Sequence, residues 1–465
     1  MSAHYDFDFV AIGGGSGGFN GARTAASLGL KAAVIDGAEA LGGLCILRGC
    51  MPSKTLLYSA EVLHRARQGR LFGLRIPRAE GDMAATQARK RRIIGEFADD
   101  RVKALTAGRF ALLRSPARFV DPHTVELADG RRVSSRAFLI ATGSVANVPD
   151  VPGLAQAETW TSDEALDTAV LPRSLIVLGG GLVAVELAQF FARMGSRVTL
   201  LQRGAHLLRG HSAESAEVIA AALRADGIEV LCGTTLEHVG RRGRGFEVHF
   251  RLGRRRLSRR ADQCLNALGR RPATEHLNLA AAGVRLSDNG QIVTRRFQQT
   301  SAPHIYAAGD CAGPVEIVHI AVQQGEVAAR HAAGVRPLRP VNYDLLLSVV
   351  FTDPQLATLG LSEEQLRSAR TPFLSASYPF DDHGKSILME AKRGYVQVRA
   401  HAKTGRLLGA EIVGPDAGEL IHLFSGPMAM KATVFDLLKA PFYHPTLSEI
   451  VTYPLDEIAE KIGGR

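Results

Sequence analysis

The sequence predicts an α/β protein with two Rossmann-like, doubly wound domains followed by a C-terminal α+β domain. Two segments carry this prediction, FDFVAIGGGSGGFNGARTAASLGLKAAVID at residues 7–36 and SLIVLGGGLVAVELAQFFARMGSRVTLLQR at residues 174–203. Each reads as an apolar strand, a glycine turn, an amphipathic helix and a second apolar strand, which is the order of a βαβ unit. After about residue 340, alternating strand patterns and helical stretches continue without a glycine fingerprint, as in an α+β domain.

The domain boundaries follow from where strand and turn patterns repeat. A chain of 465 residues is too long for one core, so two to four domains are expected. We assign residues 1–148 to the first domain, residues 149–270 to the second, residues 271–340 to a return to the first, and residues 341–465 to the last. Strand-like runs that end in small-residue turns near Thr142, Gly269 and Asp310 support these divisions.

Residues 13–18 form a dinucleotide-binding fingerprint. Gly13, Gly15 and Gly18 follow a strand and open a helix, so they allow a tight turn and direct the helix N-terminus at a pyrophosphate. Asp36 ends the second strand, where a carboxylate can hold ribose hydroxyls. A lone fingerprint is weak evidence because glycine turns also form without ligands. Two fingerprints in full βαβ context predict nucleotide binding.

The second fingerprint predicts a site for NADPH. Gly179 and Gly181 form its turn, and Gln202 stands at the end of the following strand, where an acidic residue would select NAD. Arg203 and Arg209 are placed to meet a 2′-phosphate instead. The alternative is that both are ordinary surface arginines, in which case NADH serves as the nucleotide.

Two of the five cysteines lie five positions apart, at Cys45 and Cys50, in GGLCILRGCMPSK. In a straight helix their Cα atoms would be roughly 8–9 Å apart, whereas a disulfide requires less than about 7 Å. The turn must therefore be distorted, and Gly49 makes the distortion inexpensive. Such a pair in a chain with few cysteines indicates a catalytic disulfide rather than a structural one. A zinc site is the alternative, but no second Cys/His pair has ligand spacing. The other cysteines are interpreted as buried small apolar residues: Cys232, Cys264 and Cys311.

The paired fingerprints and the motif Cys-x-x-x-x-Cys-x-Pro-Ser-Lys at residues 45–54 resemble the flavoprotein disulfide reductases, such as dihydrolipoamide dehydrogenase, glutathione reductase and mercuric reductase. The resemblance covers nearly the whole chain and ends in FYHPTLSE at residues 442–449. It implies a homodimer whose last domain forms the interface, with FAD at the first fingerprint. The FAD-binding residues that it implies, besides those of the fingerprint, are Ser16, Gly43, Lys54, Thr142, Gly143 and Asp310.

The resemblance also implies roles for six side chains in catalysis. Cys50 would be the thiolate next to the flavin, and Cys45 the thiol that exchanges with substrate. Lys54 would lie beside the flavin and pair with Glu186. His444, oriented by Glu449, would reach across from the other subunit as the acid/base.

A structural alternative exists for the last motif. Thr446-x-x-Glu449 is also a capping box that follows Pro445. A cap accounts for these two residues but leaves His444 unexplained, and histidine is the side chain that can exchange a proton with a thiol near neutral pH.

Several departures from the family pattern limit which substrates are expected. The chain has Leu44 in place of a usual Thr, and Leu182 where many members carry a gating Tyr, although neither should abolish hydride transfer. It ends without a cysteine pair and carries His444 at the interface position, so mercury is not the expected substrate.

Glutathione disulfide is not expected either. Arg23 matches a substrate-binding arginine of glutathione reductase, but Glu326 stands where another such arginine belongs, and no Tyr lies between Arg89 and Thr106. An acid at position 326 would favour a cationic thiol.

The net charge of +10 suits anionic partners. The densest basic run, Arg251 to Arg260, is interpreted as a solvated hairpin edge, since no nucleic-acid motif accompanies it. The chain has no apolar run long enough for a membrane span and no secretory signal, so a cytoplasmic location is expected. No metal is expected.

Together these features predict NADPH-linked reduction of a small-molecule disulfide through FAD and Cys45–Cys50. The alternatives are a dihydrolipoamide dehydrogenase that uses NAD, a flavin-binding redox sensor, or a nucleic-acid-associated protein that uses the basic surface.

Overall fold

A computed structural model describes residues 4–463 of the chain. Its first part contains the first βαβ segment and three helices that follow it. The elements, in chain order, are β1 (Phe7–Ile12), α1 (Ser16–Ser27), β2 (Ala32–Ile35), α2 (Gly43–Arg48), α3 (Cys50–Arg67), α4 (Met83–Thr106), β3 (Ala111–Leu113), β4 (Ala117–Asp121), β5 (Thr124–Leu127) and β6 (Arg132–Ile140).

The second part holds the second βαβ segment and an antiparallel meander. Its elements are β7 (Ser144–Ala146), α5 (Ser162–Asp167), β8 (Ser174–Leu178), α6 (Leu182–Met194), β9 (Arg197–Gln202), α7 (Ala213–Ala225), β10 (Glu229–Cys232), β11 (Thr234–Arg242), β12 (Gly245–Leu252), β13 (Arg255–Ala261), β14 (Gln263–Asn266) and β15 (Arg270–Pro272). A parallel sheet in the order β10–β9–β8–β14 forms its centre. Strand β8 is buried throughout because helices and the meander cover it.

The chain then returns to the first sheet through β16 (Ile305–Ala307) and α8 (Val318–Ala332). Strands β3, β2, β1, β6 and β16 lie side by side in parallel, while β4 and β5 extend β6 in an antiparallel direction. Helix α8 packs against α1. The last strand of the first nucleotide sheet therefore comes from a segment far along the chain.

The remaining residues form an antiparallel sheet with helices. The elements are β17 (Leu347–Val350), β18 (Gln355–Gly360), α9 (Glu363–Ser368), β19 (Phe373–Pro379), α10 (Gly384–Leu388), β20 (Tyr395–His401), β21 (Leu407–Gly414), α11 (Ala417–Leu420), α12 (His422–Ala429), α13 (Val434–Leu437) and α14 (Thr452–Gly463). The strand order is β17–β18–β21–β20–β19. Strand β21 lies at the centre and is fully buried, and α14 packs on β19 and β20.

This architecture confirms the predicted fold class of two nucleotide-binding α/β sheets and a C-terminal α+β unit. The basic run lies on the β12–β13 hairpin, and β13 is the outer strand of the meander. Its arginines form ion pairs with acids of the same sheet and of β10: Arg251 and Arg256 with Glu237, Arg260 with Glu247, and Arg259 with Glu229. These pairs fit the interpretation of a solvated hairpin.

Of the three cysteines outside the motif, Cys264 and Cys311 are buried and Cys232 is half-buried. None of the helices within residues 4–463 has the length and apolar character that crossing a bilayer requires.

Candidate active site

The glycine turn of the first sheet opens into a groove of about 510 Å³. The groove runs from the start of α1, past the end of β2 and the α2–α3 junction, to the ends of β6 and β16. Of the predicted site residues, its lining includes Gly13, Gly15, Ser16, Asp36, Gly43, Cys45, Cys50, Thr142, Gly143 and Asp310. The structure thus brings the first fingerprint and both motif cysteines to one groove.

The turn itself is held by the Asp36 carboxylate and by close backbone approach. Asp36 accepts hydrogen bonds from the Gly14 and Ala38 backbone N–H groups, both at 2.8 Å. Gly43 has φ +75°, and a Cβ there would lie 2.6 Å from the Gly15 Cα. Two chain segments therefore meet with only glycine backbone between them, which leaves the N-terminus of α1 open to an anionic ligand.

At the far end of the groove, Asp310 is fixed by a chain of polar contacts. The Ser144 hydroxyl donates to the Asp310 carboxylate at 2.6 Å. Arg270 in turn donates through Nε to the Ser144 hydroxyl and through Nη2 to the Ser144 carbonyl, both at 2.7 Å. Our sequence reasoning missed Ser144 and Arg270, because their connection depends on the β7–β15 pairing, which no local motif signals.

The two cysteines face each other across a break between α2 and α3. Cys45 lies within α2, and Cys50 is the first residue of α3. Gly49 between them has φ −134° and ψ −116°, which is not helical. A Cβ on Gly49 would lie 2.9 Å from the Leu44 carbonyl oxygen and 3.2 Å from the Cys45 Cα, so the chain folds back closely at this glycine. The distortion predicted from the five-residue spacing is present.

The thiols are electrostatically unequal. The Cys45 S–H donates a hydrogen bond to the Cys50 sulfur, and this bond lowers the pKa of Cys50 to about 7. The positive charge of Lys54 lowers this pKa further, whereas burial of the thiol raises it. The same bond, with burial and the negative charge of Cys50, raises the pKa of Cys45. Cys50 also stands at the N-terminus of an 18-residue helix, whose dipole favours a thiolate. Near neutral pH, Cys50 therefore carries the charge of the pair.

One buried ion pair supports this arrangement. Lys54 lies one helical turn after Cys50, and its Nζ is 2.8 Å from Glu186 Oε2. Glu186 is only 2% exposed, and its other oxygen accepts the Phe351 backbone N–H at 2.9 Å. Lys54 Nζ also lies 4.7 Å from the centroid of the Phe351 ring. Lys54 lines a neighbouring cavity rather than the glycine groove.

His444 and Glu449 contact each other on the surface of the C-terminal domain. His444 Nδ1 is 3.0 Å from both carboxylate oxygens of Glu449, and the histidine side chain is 78% exposed. Thr446 makes no capping contact, since its hydroxyl donates to the Tyr443 carbonyl at 2.7 Å. The capping-box alternative is therefore not what the structure shows. His444 does not line the groove that contains the cysteines of its own chain.

A second histidine, His383, lies behind Glu449. It is fully buried, its Nε2 lies 3.5 Å from Glu449 Oε1, and its Nδ1 lies 2.8 Å from the Ser386 hydroxyl. Burial lowers the pKa of His383, so the ring is neutral near pH 7 and adds no net charge beside the carboxylate. The sequence offered no signal for this contact, because His383 belongs to a different element of the domain.

The second glycine turn is followed by a helix, as in a nucleotide site, and Gln202 rather than an acid ends strand β9. Helix α6 begins directly after Gly181. The Gln202 side chain donates to the His206 carbonyl at 3.1 Å and accepts from the Arg203 backbone N–H at 3.0 Å, so it shapes the loop after β9. The Leu208 N–H donates to the Gly180 carbonyl at 2.7 Å, which holds this loop against the turn. Arg203 and Arg209 are both exposed on it.

Comparisons with known proteins agree with this geometry. The family described as pyridine nucleotide-disulphide oxidoreductase matches residues 7–325, and its dimerisation domain matches residues 346–454. The chain belongs to the pyridine nucleotide-disulphide oxidoreductases. It is 34% identical to a mercuric reductase of Bacillus cereus over 96% of this chain and 70% of that protein. It is 36% identical to a dihydrolipoyl dehydrogenase of Thermus scotoductus over 95% of both chains.

Among solved structures, the chain resembles the HOCl-induced flavoprotein disulfide reductase RclA from Escherichia coli. The TM-score is 0.85 at 26% sequence identity, and the match covers 97% of this chain and 99% of the other. The chain is therefore an oxidoreductase of the disulfide reductase class, with the fold, dimerisation domain and cofactor classes of that family.

Members of this family use FAD and NAD(P)H, and the residues present fit both groups. The first groove offers the N-terminus of α1, the Asp36 carboxylate and the close Gly15–Gly43 backbone contact, which a Cβ on Gly43 would prevent. The turn at Gly179 to Gly181 offers the N-terminus of α6 to a nicotinamide nucleotide in the same way. Within residues 4–463, no cluster of three or more His, Cys, Asp or Glu side chains could hold a metal ion.

Lys54 and Glu186 should have opposite effects on the pKa of Cys50, which can be tested by replacing each of them. Lys54→Met should raise the pKa of Cys50 by about one, because a nearby positive charge stabilises the thiolate. Glu186→Gln should lower that pKa, because it removes a nearby negative charge. The pKa is measured from the pH dependence of iodoacetamide alkylation of the reduced protein, with Cys50 located by mass spectrometry.

Lys103→Met serves as the matched control, since Lys103 is an exposed lysine that pairs with Asp100 on α4. It should leave the Cys50 pKa unchanged. If both Lys54→Met and Glu186→Gln shifted the Cys50 pKa in the same direction, the two charges would not act on the thiolate in opposite ways, contrary to this prediction.

Proposed function

We propose that the enzyme uses NADPH to reduce a small-molecule disulfide, through FAD and a redox-active Cys45–Cys50 pair. The observation that carries this proposal is the pairing of two unequal thiols across the α2–α3 break, inside the glycine groove. Two thiols in contact can form and open a disulfide, and the unequal pKa values divide the work between them. Lys54 sits one helical turn away and stabilises the charged form of Cys50, whereas its partner Glu186 opposes that charge.

The reduced pair can exchange with a substrate disulfide in steps that conserve atoms and electrons. FAD, when bound, supplies the two-electron link between the nicotinamide and the Cys45–Cys50 disulfide. Opening that disulfide leaves Cys50 as the thiolate. Cys45, once deprotonated, attacks one substrate sulfur, forms a mixed disulfide and expels a thiolate. Cys50 then attacks the Cys45 sulfur, which releases the second thiol and restores the disulfide.

His444 of the partner subunit is the proposed acid/base. Its exposed ring is anchored through Nδ1 to Glu449, so Nε2 faces outward from the dimerisation domain. This orientation suits a group that deprotonates Cys45 and protonates the departing thiolate in the other subunit of a homodimer. His383 lies on the far side of Glu449, with its Nε2 3.5 Å from Glu449 Oε1.

Replacing either motif cysteine tests the proposal. Cys45→Ser and Cys50→Ser should each reduce NADPH-dependent turnover of small disulfides by about 10⁴-fold or more, as expected for loss of a nucleophile. Turnover should be followed by NADPH oxidation across a set of low-molecular-weight disulfides. Cys232→Ser, a half-buried cysteine of β10, is the control and should remain active.

The same variants distinguish the two roles. A thiolate beside the flavin gives a long-wavelength absorption band. Cys45→Ser should show this band without reduction, and Cys50→Ser should lack it. Disulfide turnover that survives both substitutions would contradict the proposed function, whereas a band in Cys50→Ser would only reverse the assignment of the thiols.

The nucleotide preference has its own test. Replacing Arg203 and Arg209 by Ala should weaken NADPH use by about 1.5–3 kcal/mol for each charge-assisted contact and leave NADH use unchanged. The measurement is kcat/KM for both nucleotides in the same assay. An equal loss with NADH would mean that the arginines only support the loop after β9. Preference for NAD in the wild type would favour the alternative, a dihydrolipoamide dehydrogenase.

His444→Ala should separate the two half-reactions. General acid–base catalysis contributes about 10²–10⁴-fold, so disulfide turnover should fall on that scale. Rapid reduction of FAD by NADPH should be unchanged, as should turnover with a quinone that takes electrons directly from the flavin. Glu449→Ala should show a smaller split of the same kind, because it only orients the imidazole. Stopped-flow absorbance measures both steps, and intact disulfide turnover in His444→Ala would remove His444 from the mechanism.

A further inference from the structure

A guanidinium that the proposed chemistry does not use lies near Cys45. Arg101 is on α4, which packs against the short helix α2 that carries Cys45. The side chain is half-buried, and its Nη1 is buried without a hydrogen-bond partner among residues 4–463. A guanidinium that is partly desolvated and short of acceptors gains from any anion that reaches its exposed part.

The position of Arg101 is fixed by an aromatic ring. Its Cζ lies 4.3 Å from the centroid of Phe19, and Phe19 itself is 8% exposed in α1. Arg23 approaches the same ring at 5.8 Å. A guanidinium stacked on a buried ring is held before any ligand arrives, so little conformational entropy is lost when it binds one.

Glu326 does not neutralise Arg101. Glu326, which by sequence would favour a cationic substrate, pairs instead with Arg23 at 3.7 Å. The charges of Arg23 and Glu326 therefore offset each other. Arg101 therefore remains as the extra positive charge. It lowers the pKa of the Cys45 thiol, although Cys50 raises that pKa by more.

We propose that Arg101 binds a carboxylate of the substrate, so that the enzyme prefers anionic disulfides. This inference rests on the proposed disulfide function and names the class of its substrate. The planar guanidinium offers parallel N–H donors that match a carboxylate, and the side chain is only half-buried, so a substrate can reach its exposed part. Because Arg101 lies on the helix that packs against α2, a carboxylate bound to it would bring the adjoining sulfur of the substrate towards Cys45 on α2.

Three disulfides with identical two-carbon arms test the preference: 3,3′-dithiodipropionate, 2-hydroxyethyl disulfide and cystamine, which are anionic, neutral and cationic. For the wild-type holoenzyme, kcat/KM should decrease in that order. Arg101→Met should lower kcat/KM for 3,3′-dithiodipropionate by about 10- to 100-fold and leave the neutral disulfide unchanged. Arg101→Lys should retain part of the activity that Arg101→Met loses, since lysine keeps the positive charge but lacks the parallel N–H donors of the guanidinium.

Arg92→Met is the matched control on the same helix. Arg92 is exposed and pairs with Glu96 at 2.6 Å, one turn along α4. It should leave the order of the three disulfides and their kcat/KM values unchanged.

A second measurement does not depend on disulfide turnover. Cys45 of the reduced holoenzyme is alkylated with iodoacetate, which is anionic, and with iodoacetamide, which is neutral, and the modified residue is located by mass spectrometry. The ratio of the two rates should fall by about tenfold or more in Arg101→Met and stay constant in Arg92→Met. The ratio cancels any change in Cys45 reactivity that affects both reagents equally.

The outcomes separate this inference from the proposed function. An equal loss of activity with all three disulfides, together with an unchanged alkylation ratio, would show that Arg101 acts on Cys45 or on packing, and would overturn the inference. A lowered ratio without turnover of any disulfide would support the anion site and reject the disulfide function.

Discussion

The break in the helix at Gly49 is the constraint on which the candidate chemistry depends. A continuous helix would hold Cys45 and Cys50 too far apart for a disulfide. The close backbone approach at Gly49 places the thiols in contact and makes Cys50 the first residue of α3. The helix dipole, the Cys45 hydrogen bond and Lys54 then all favour a negative charge on Cys50. One glycine thus determines both the proximity of the thiols and their inequality.

The buried Glu186 connects this local arrangement to the whole molecule. It lies on α6 of the second sheet, pairs with Lys54 of α3 from the first part of the chain, and accepts the Phe351 N–H of the C-terminal domain. A carboxylate that is 2% exposed needs such partners, because an unpaired buried charge is strongly destabilising. The same contacts that satisfy Glu186 therefore fix the domains around the cysteines, which links the stability of the fold to the properties of the site.

The sequence was informative wherever function requires a local pattern. The glycine turns, the Cys45–Cys50 spacing and the His444–Glu449 motif each lie within a few residues, so fold class and family could be predicted from them. What it could not provide are contacts between distant segments. The Ser144–Arg270 support of Asp310, the position of His383 behind Glu449 and the stacking of Arg101 on Phe19 all depend on tertiary packing. Glu326 shows the same limit, because only the structure reveals that Arg23 offsets its charge.

The central claim is that Cys45 and Cys50 form a redox couple in series with FAD. An anaerobic reductive titration with dithionite, followed by absorbance, tests it most directly. The wild-type holoenzyme should take up twice as many electrons per FAD as Cys45→Ser, because the disulfide stores one electron pair and the flavin another. Equal uptake by both proteins would contradict the claim, since it would mean that the two cysteines accept no electrons.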